Sequence, residues 1–407
     1  MRVLYVCLDR GIPLGGTKGA SIHVEELLRA FEAEGHETVV VTRSSAEAPK
    51  TNREVFQARV EPRMRWVPLP TLRRDLQELA AGPALRRTVS DVLRAFRPDL
   101  VYERYALFRT ETVQEAHSAG IPVVLEVNAP LIEEERAFRA LALGRMAARA
   151  EREAWRAADL VTVPSRQLAE RVRALGQTRV MVVPNGVDLR RFRPTEESSA
   201  IRRRFGLDGR FVIGFAGSLK VWHDLGTLLE AAAGLKDGTN PTLLMLGEGP
   251  ERARLERRAA SLGLDIKWMG AVPHWDVAGY LSAADVCVAG LPSDPRWQYF
   301  SPLKAMEYLA CGRPTVVAMA GDLADLVEAG AALGYRPGDP FDLRRQLAAV
   351  AADPGLSERL SRAGRSLAEC RTWRAAARSI LQAAERLPRT ESKAYSQSRR
   401  GAPRRRA

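Results

Sequence analysis

The feature that most constrains the fold of this chain is a succession of segments that occurs twice. Near the start, a β-rich run at residues 2–8 is followed by a glycine-containing loop at 11–16, a helical pattern at about 20–33 and a second β-rich run at 38–42. The same succession returns past the middle, at residues 211–215, 217–220, 224–235 and 242–246. Strand, glycine loop, helix and strand in this order are typical of the βαβ unit of a parallel, doubly wound sheet.

Two copies of this unit predict two α/β domains. A chain of 407 residues is too long for one small core. Turn residues at 182–188 and a polar stretch at 192–199 indicate a boundary, so we predict domains at residues 1–190 and 191–372. The carboxyl ends of both sets of strands would face one cleft, where ligands of such sheets bind. Other predicted strands are 100–102, 123–127, 160–163, 180–183, 285–288 and 315–318, and long amphipathic helices are predicted at 133–157 and 354–369.

The net charge of +13 is unevenly distributed. Residues 388–407 carry seven basic side chains and one acidic one, and their polar composition predicts a disordered basic tail. A second basic cluster comprises Arg63, Arg65, Arg73 and Arg74 beside Trp66. It resembles a membrane-surface patch and favours peripheral contact with an anionic membrane. Nucleic acid is not an expected partner, because aromatic interleaving is sparse and no nucleic-acid motif occurs.

Cysteine use and hydropathy indicate the compartment. The four cysteines (7, 287, 311 and 370) are widely scattered, which is typical of reduced thiols, and Cys7 and Cys287 fall in predicted core strands. No apolar run approaches the roughly 18–20 residues that span a bilayer. The apolar part of residues 1–10 is shorter than a secretory signal and fits a buried strand. We therefore expect a cytoplasmic protein, with peripheral association at the inner face of the membrane.

Residues 299–312 carry the most informative candidate site. Ser301 and Pro302 suit the first turn of a helix that has a periodic apolar face and ends at Gly312. Lys304 and Glu307 are three residues apart and share one face. Free helix amides with one cation form an anion site, and a carboxylate one turn deeper can bind hydroxyls, so a diphosphate beside a ribose fits. A surface ion pair on an ordinary helix is the alternative.

Glycine loops follow the first strand of each predicted domain. Gly15 and Gly16 lack the remaining residues of a dinucleotide fingerprint, so a plain turn is an equally good interpretation. In the second half, Lys220 offers a positive charge and Ser218 a hydroxyl to a diphosphate, unless Lys220 is a solvated loop lysine. His223 is interpreted as a surface histidine that caps the next helix.

A glycine-flanked acidic turn ends another buried strand of the second half, and residues 268–273 end a further strand in the same way without the acid. Gly247 and Glu248 offer groups that could hold a nucleobase, although an ordinary strand-to-helix connection explains the turn equally well. No Asp-X-Asp sequence occurs, so we expect no metal clamp on the diphosphate. No Ser/His/Asp or Cys/His constellation can be read from the sequence.

Taken in order, these motifs resemble the family 4 retaining glycosyltransferases of GT-B fold, the glycosyl transferases group 1. The resemblance covers roughly residues 1–387 and rests on the stretches 15–24, 35–37, 126–130, 183–188, 217–220, 247–250, 269–270, 284–285 and 301–312. It implies two Rossmann-like domains facing a central cleft, with the acceptor on the first and the nucleotide-sugar donor on the second. It also implies a helix at 373–387 that crosses back onto the first domain, and it strongly favours the diphosphate interpretation.

The resemblance assigns roles by position. It implies that Glu307 binds the donor ribose, that Lys220 and backbone amides near Ser301 hold the diphosphate, and that Gly16 lets the first domain close over the donor. Asn185 falls in a hinge signature and is interpreted as structural. Lys220 and Glu307 are the predicted catalytic residues. The predicted donor-binding residues are Gly16, Gly217, Ser218, Lys220, His223, Gly247, Glu248, Ser301, Pro302, Leu303, Lys304 and Glu307.

Three departures from the family pattern concern sugar and acceptor. Tyr299 stands where the family has a first glutamate that contacts the transferred sugar. Ser218 stands where the family has an arginine, and the lysine that follows this arginine in the family aligns near His223. Lys220 is therefore the expected substitute for either residue. Many members carry a histidine near Asn128, which is absent here. The predicted acceptor-side residues are Glu126, Asn128 and Arg104.

These features predict the transfer of a sugar from a nucleoside-diphosphate sugar, a UDP-sugar before a GDP-sugar, to a hydroxyl acceptor with retained configuration. The acceptor would be a glycan, a polysaccharide or a lipid-linked intermediate, and no separate cofactor or metal is expected. The alternative is a catalytically silent GT-B protein that binds nucleotide sugars within a glycan assembly. Tyr299 and the basic tail favour this alternative, whereas Lys220, Lys304 and Glu307 favour the enzyme. An epimerase or phosphorylase is disfavoured, since no cofactor-lysine motif of a phosphorylase is found.

Overall fold

The computed structural model describes residues 1–16, 18–45, 53–58, 60, 62, 69–235, 239, 241–299, 301 and 303–388. Three predictions lie outside the described residues: the donor-site residue Pro302, the basic side chains of Arg63 and Arg65 with Trp66, and the tail beyond residue 388. The chain divides into two compact units, Met1–Val183 with the segment from Ala376 onward, and Pro184–Ala375.

The first unit is built on a seven-stranded parallel sheet in the order β3-β2-β1-β4-β5-β6-β7. Its strands are β1 Arg2–Cys7, β2 Glu37–Thr42, β3 Glu54–Gln57, β4 Leu100–Arg104, β5 Val123–Glu126, β6 Leu160–Val163 and β7 Val180–Val182. Its helices are α1 Gly19–Ala33, α2 Pro70–Phe96, α3 Glu111–Ser118, α4 Leu131–Phe138, α5 Gly144–Ala157 and α6 Arg166–Ala174.

The second unit has a six-stranded parallel sheet in the order β10-β9-β8-β11-β12-β13. The strands are β8 Phe211–Ala216, β9 Pro241–Leu246, β10 Asp265–Gly270, β11 Val286–Ala289, β12 Thr315–Ala318 and β13 Leu333–Tyr335. The helices are α7 Glu197–Phe205, α8 Leu225–Ala233, α9 Arg252–Ser261, α10 Val277–Ser282, α11 Leu303–Ala310, α12 Ala324–Glu328, α13 Pro340–Ala352 and α14 Pro354–Cys370, with short 3-10 turns at Val221–His223, Pro295–Trp297 and Gly321–Leu323. Helix α15, Trp373–Glu385, leads into the first unit.

Both sheets have the strand order of a Rossmann fold, in which the order reverses beside the first strand. The prediction of two doubly wound parallel α/β sheets is therefore confirmed. In the second unit the reversal lies between β8 and β11, where Ile213 pairs with Val286. All residues of β9 are buried, as a parallel sheet covered on both faces requires. Ligands of such sheets bind at the carboxyl ends of the strands that flank the reversal.

The prediction of one long helix over 133–157 is wrong, because two helices separated by residues 139–143 occupy this stretch. Ala140 has a positive φ of 62°, which a continuous helix excludes. The buried carboxylate of Asp75 accepts hydrogen bonds from the amides of Ala142 and Leu143, at 2.8 and 3.0 Å. A side chain from α2 thus satisfies amides at the start of α5, and only the tertiary fold supplies it.

Two further observations concern the membrane prediction. Arg74 is not free on the surface, because its guanidinium lies 2.9 Å from Asp75 and 3.0 Å from Glu135. In the described part of the chain, none of the helices combines the length and hydrophobicity needed to span a membrane.

Candidate functional site

The glycine loops after β8 and β9 are bonded to each other at the carboxyl edge of the second sheet. The amide of Gly217 donates to the carbonyl of Leu246 at 3.0 Å, and the amide of Leu219 donates to the carbonyl of Glu248 at 2.9 Å. A Cβ atom on Gly247, whose φ is +126°, would lie 2.0 Å from the carbonyl oxygen of Gly217. Only glycine permits so close an approach. The two loops predicted to bind the donor therefore lie together at the carboxyl edge of the second sheet.

The polar side chains of these loops differ in their surroundings. Ser218 is exposed, and Glu248 is exposed with its carboxylate 3.3 Å from the guanidinium of Arg252. The ammonium of Lys220 lies 4.4 Å from the centroid of the Trp222 ring, within cation–π range. Lys220 therefore rests against an aromatic face at the end of the loop.

Lys304, one residue into α11, reaches the end of β8. A Cβ atom on Gly217 would lie 3.1 Å from Lys304 Cε and 3.4 Å from its Nζ. The same Nζ lies 2.7 Å from His223 Nδ1 and 3.0 Å from Nε2 of that ring, and 5.2 Å from the centroid of Phe215. The cation of α11 thus stands beside the first glycine loop.

The interpretation of His223 as a surface residue that caps the next helix is wrong. Its ring is partly buried between Lys304 and Phe215, and α8 has no side-chain cap at its start. The carbonyl oxygen of His223 would lie 2.7 Å from a Cβ atom on Gly290, which directly follows β11. His223 therefore sits at the strand-order reversal between β8 and β11, where ligands of Rossmann sheets bind.

The protonation of this pair follows from its surroundings. Burial, together with the charges of Lys304 and Lys220, lowers the pKa of His223 well below its ordinary value, so the imidazole is neutral. Burial lowers the pKa of Lys304 to about 7, although the charge of Glu307 acts in the opposite direction. Within the described residues, no carboxylate forms an ion pair with Lys304 Nζ. The alternative of a Lys304–Glu307 surface ion pair is therefore wrong.

Glu307 is held by residues other than Lys304. Its Oε1 atom lies 3.2 Å from Nε2 of His274, and Nδ1 of that ring lies 2.7 Å from the guanidinium of Arg191. An arginine can only donate, so Nδ1 accepts and Nε2 carries the hydrogen that Glu307 accepts. The edge of His274 also packs against Phe192, with centroids 5.2 Å apart. Arg191 and His274 thus orient the carboxylate that the sequence assigns to the ribose.

The residue before α11 is anchored to the start of the second unit. The side-chain amide of Asn185 donates to the carbonyl of Ser301 at 2.8 Å, and its backbone amide lies 3.3 Å from Ser301 Oγ. Asn185 therefore fixes the backbone that leads into Leu303, the first residue of α11. The structural role predicted for Asn185 is thus to hold the backbone at the entrance to the predicted diphosphate site.

In the first unit, two of the three acceptor-side candidates come together. Glu126 Oε1 lies 2.6 Å from Nε2 of His23 and accepts from the hydroxyl of Tyr102 at 2.8 Å, while Oε2 accepts from Arg104 at 3.1 Å. Burial would raise the pKa of Glu126, but His23, Arg104 and Tyr102 outweigh it and lower the pKa to about 2. Asn128 is not part of this cluster, and its Nδ2 atom is buried without a partner in the described structure.

Gly16 lies in a tight loop of the first unit. Its amide donates to the carbonyl of Pro13 at 3.1 Å. A Cβ atom on Gly16 would lie 2.8 Å from Ser21 Oγ and 3.0 Å from the same carbonyl, so the loop has no room for a larger residue. As to metals, the described residues contain no group of three His, Cys, Asp or Glu side chains that could hold an ion.

Two family models match the chain. The model described as Glycosyltransferase Family 4 matches residues 17–191, and the model described as Glycosyl transferases group 1 matches residues 210–353. Together these matches cover well over half of the sequence. The chain belongs to the family 4, group 1 glycosyltransferases. The resemblance read from the motifs is confirmed.

Curated relatives of this glycosyltransferase chain include two proteins of Mycobacterium tuberculosis. The GDP-mannose-dependent alpha-(1-6)-phosphatidylinositol dimannoside mannosyltransferase is 34% identical over 210 residues, which is 51% of this chain and 52% of that protein. This chain thus spans about half the length of that relative. A glycogen synthase is 26% identical over 391 residues, which is 90% of this chain and 89% of that protein.

Solved structures confirm the GT-B fold. Sucrose-phosphate synthase from Thermosynechococcus elongatus has a TM-score of 0.74 at 20% identity, covering 95% of this chain and 98% of that one. Anabaena HepE in complex with UDP-glucose has a TM-score of 0.73 at 20% identity, covering 95% and 100%. At this level of identity the likeness concerns the fold alone.

The sequence missed His274 and Arg191 beside Glu307 in the second unit, and His23 beside Glu126 in the first. His274 lies 33 residues before Glu307 in the chain, so no local spacing links the two side chains. His23 belongs to the stretch 15–24 that carried the family resemblance, but its bond to Glu126 joins residues 103 positions apart. Tyr299, at the position of the family's first glutamate, is buried.

Proposed function

We propose that this protein transfers a sugar from a nucleoside-diphosphate sugar to a hydroxyl of a glycan, polysaccharide or lipid-linked acceptor, with retained anomeric configuration. The second unit would hold the donor. Glu307 would accept hydrogen bonds from the ribose hydroxyls. The backbone amides of Ser301 and Leu303, with Lys304 and Lys220, would hold the diphosphate beside the loops at Gly217 and Gly247.

One observation carries this proposal. Lys304 and Glu307 lie on one turn of α11, yet each is bound to a different histidine and neither neutralises the other. A cation that has no carboxylate partner among the described residues stands beside Gly217 at the strand-order reversal, and an oriented carboxylate lies one turn further along the helix. This is the order of charges that a diphosphate and its ribose require.

The chemistry follows from the charge that develops during the reaction. The acceptor oxygen bonds to the anomeric carbon as the bond from that carbon to the diphosphate oxygen breaks, and the acceptor proton passes to a departing phosphate oxygen on the same face. The products are the glycoside and the nucleoside diphosphate. A fixed ammonium and oriented amides stabilise the departing charge, an effect that is usually large in enzymes. No side chain of the donor site need act as a dedicated base.

Uridine and guanosine are the bases to test first. One relative is named for dependence on GDP-mannose, and one structural neighbour was solved with UDP-glucose. We retain the order from the sequence, a UDP-sugar before a GDP-sugar, as a prediction. No cofactor beyond the donor is proposed.

The experiment is a thermal-shift and turnover screen over UDP, GDP and their common sugar conjugates. A donor at a hundred times its dissociation constant should stabilise the protein by about 2.7 kcal/mol, so the best ligand raises the melting midpoint most. Release of nucleoside diphosphate and the configuration of the product then test transfer and retention. If no nucleotide raises the midpoint, the donor-site proposal is wrong.

A catalytically silent nucleotide-sugar binder is the second candidate. The observation that favours it is Tyr299, which is buried where the family has a sugar-contacting glutamate. Midpoint shifts with donor sugars, without hydrolysis or transfer under any acceptor tested, would support this candidate over the enzyme.

We also propose a cytoplasmic location with peripheral contact to an anionic membrane, which suits a lipid-linked acceptor. The basic side chains at 63, 65 and 73 and in the C-terminal tail support this. Co-sedimentation with vesicles of pure phosphatidylcholine and with vesicles containing phosphatidylserine tests it. Equal binding to both vesicles would contradict the contact.

A further inference from the structure

Lys304 has an unusual set of neighbours for a lysine. Its ammonium contacts an imidazole at 2.7 Å and lies near the Phe215 ring, and it has no carboxylate partner among the described residues. A compact ammonium is strongly hydrated in water, so a partly buried site with only a neutral partner holds its charge poorly. A bound anion would supply the missing partner.

The titratable groups that face this ammonium come from three elements. His223 comes from the 3-10 turn, Lys220 from the loop before it, and Glu307 from α11 itself, where His274 holds its carboxylate. Tyr308, also on α11, is bonded through its hydroxyl to the backbone of Ala216, and burial raises its pKa well above the ordinary value. Burial disfavours a charged Lys304 in spite of the opposing charge of Glu307, and a bound anion would compensate for the lost hydration.

We propose that the Lys304–His223 pair couples donor binding to proton uptake: the diphosphate binds beside Gly217, and Lys304 takes a proton from solution as it binds. His223 remains neutral and orients the lysine nitrogen through its ring. This inference rests on the proposed function, because it assigns a role within the same diphosphate site.

The energetics give the direction of the coupling. Lys304 has a pKa of about 7 in the nucleotide-free protein, so most copies are uncharged at pH 8. Two adjacent phosphate charges favour the ammonium and raise its pKa, and linkage then requires that donor affinity and proton affinity increase together. Donor binding should therefore strengthen as pH falls from 8 towards 7 and level off near pH 6, where Lys304 is already charged.

Calorimetry of donor binding in buffers with different ionisation enthalpies measures the protons taken up. UDP-glucose and GDP-mannose are the probes, because a diphosphate esterified at both ends has no phosphate group that titrates near neutrality. We expect the uptake to approach one proton per bound donor at pH 8 and to be a small fraction of a proton at pH 6. This comparison uses the unaltered protein, so it does not depend on whether a variant folds.

Variants locate the proton. Lys304→Arg keeps the charge at all pH values, so donor should bind with no uptake. Lys267→Arg, on β10 and paired with Asp265, is the matched control that should retain the wild-type uptake. Donor binding without uptake in the wild-type protein at pH 8, or unchanged uptake in Lys304→Arg, would overturn the inference while leaving the proposed function intact. Failure of both donors to bind would overturn the proposed donor site itself, and the inference with it.

Discussion

Glu307 and Lys304 take different partners although they lie three residues apart on one helix. Lys304 lies at the end of β8 and contacts His223. Glu307 contacts His274, which in turn contacts Arg191. Each charge is thereby held in place without being neutralised by the other. This separation leaves both groups available to a ligand that carries phosphates and hydroxyls.

Removing the charge of Glu307 should weaken donor use. A hydrogen bond to a charged group contributes roughly 1.5–3 kcal/mol, so Glu307→Gln should reduce kcat/KM for the donor about ten- to a hundredfold. Steady-state kinetics with the best donor from the screen measure this. Glu358→Gln, an exposed change on α14, serves as the control and should leave kcat/KM unaltered. Wild-type kinetics in Glu307→Gln would refute the ribose assignment.

His274 should act as a positioning residue for that carboxylate. His274→Ala removes the donor to Glu307, and because both side chains are partly exposed we expect a modest rise in the donor KM, about three- to tenfold, with little change in kcat. His274→Gln keeps an N–H donor and should recover part of the loss. A fall in kcat with an unchanged KM would indicate a different role for this histidine.

At the scale of elements, the predicted donor site at the carboxyl edge of the second sheet depends on how closely two loops approach each other. The loops after β8 and β9 exchange backbone hydrogen bonds, and α11 is fixed at its entrance by Asn185. The glycines at 217 and 247 allow this contact because each adopts a positive φ, of 150° and 126°. Backbone hydrogen bonds therefore fix the two loops to each other, and Lys304 of α11 lies beside the first of them.

A methyl group at Gly247 should disrupt this edge. Gly247→Ala would meet the Gly217 carbonyl at 2.0 Å at a φ that alanine rarely adopts, so we expect a loss of at least about 2 kcal/mol in the free energy of unfolding. The control is Gly226→Ala in the first turn of α8, where no atom lies within 4 Å. It should be neutral or stabilise by up to about 1 kcal/mol. Equal denaturation midpoints for the two variants would contradict the close approach.

At the scale of the whole molecule, two units repeat one strand order but carry different buried charges. The first unit contains Glu126, which is held ionised by three neighbours, and Glu103, whose Oε1 atom is buried without a partner in the described structure. Burial raises the pKa of Glu103 to about 8. These two carboxyl groups should give the stability of the protein opposite responses to pH.

Glu126 should stabilise the folded state only while it is ionised. Its pKa is about 2 in the folded protein against 4.5 in the unfolded chain, so its contribution is complete above pH 4.5 and is lost as pH falls towards 2. The difference corresponds to about 3 kcal/mol. Glu126→Gln should therefore lower the denaturation midpoint at pH 7 and have a much smaller effect near pH 3. A loss that does not depend on pH would contradict the ion-pair account.

Glu103 should act in the opposite direction. Its folded pKa is raised from 4.5 to about 8, so the group costs stability increasingly as pH rises from 4.5 to 8. Glu103→Gln keeps the shape of the neutral acid and removes this cost. We expect a gain of a few kcal/mol at pH 9 and none near pH 4. Denaturation at the two pH values measures the difference, and an equal response at both would refute the raised pKa.

The sequence predicted most strands of both sheets, but it missed β3 and β13. Buried β-branched runs such as Val123–Glu126 are visible from the sequence, because strands of a parallel sheet are apolar on both faces. By contrast, β3 has no buried residue and β13 has only three residues. Neither segment shows the hydrophobic pattern of a buried strand in the sequence. They are identified as strands by their pairing with β2 and β12 in the structure. The bounds of the 27-residue helix α2 were not predicted either, since Gly82 and Pro83 interrupt its helical pattern.

By itself, the sequence determined the two Rossmann-like halves, the glycine loops and the placement of Lys304 and Glu307 on one helix, because these follow from local spacing and backbone freedom. Only the tertiary structure decided which partners those side chains take. His223 and His274 lie 81 and 33 residues away from the groups they contact. Such contacts form when the strand order brings distant loops to one sheet edge, so the protonation of Lys304 and the orientation of Glu307 depend on the folded sheet.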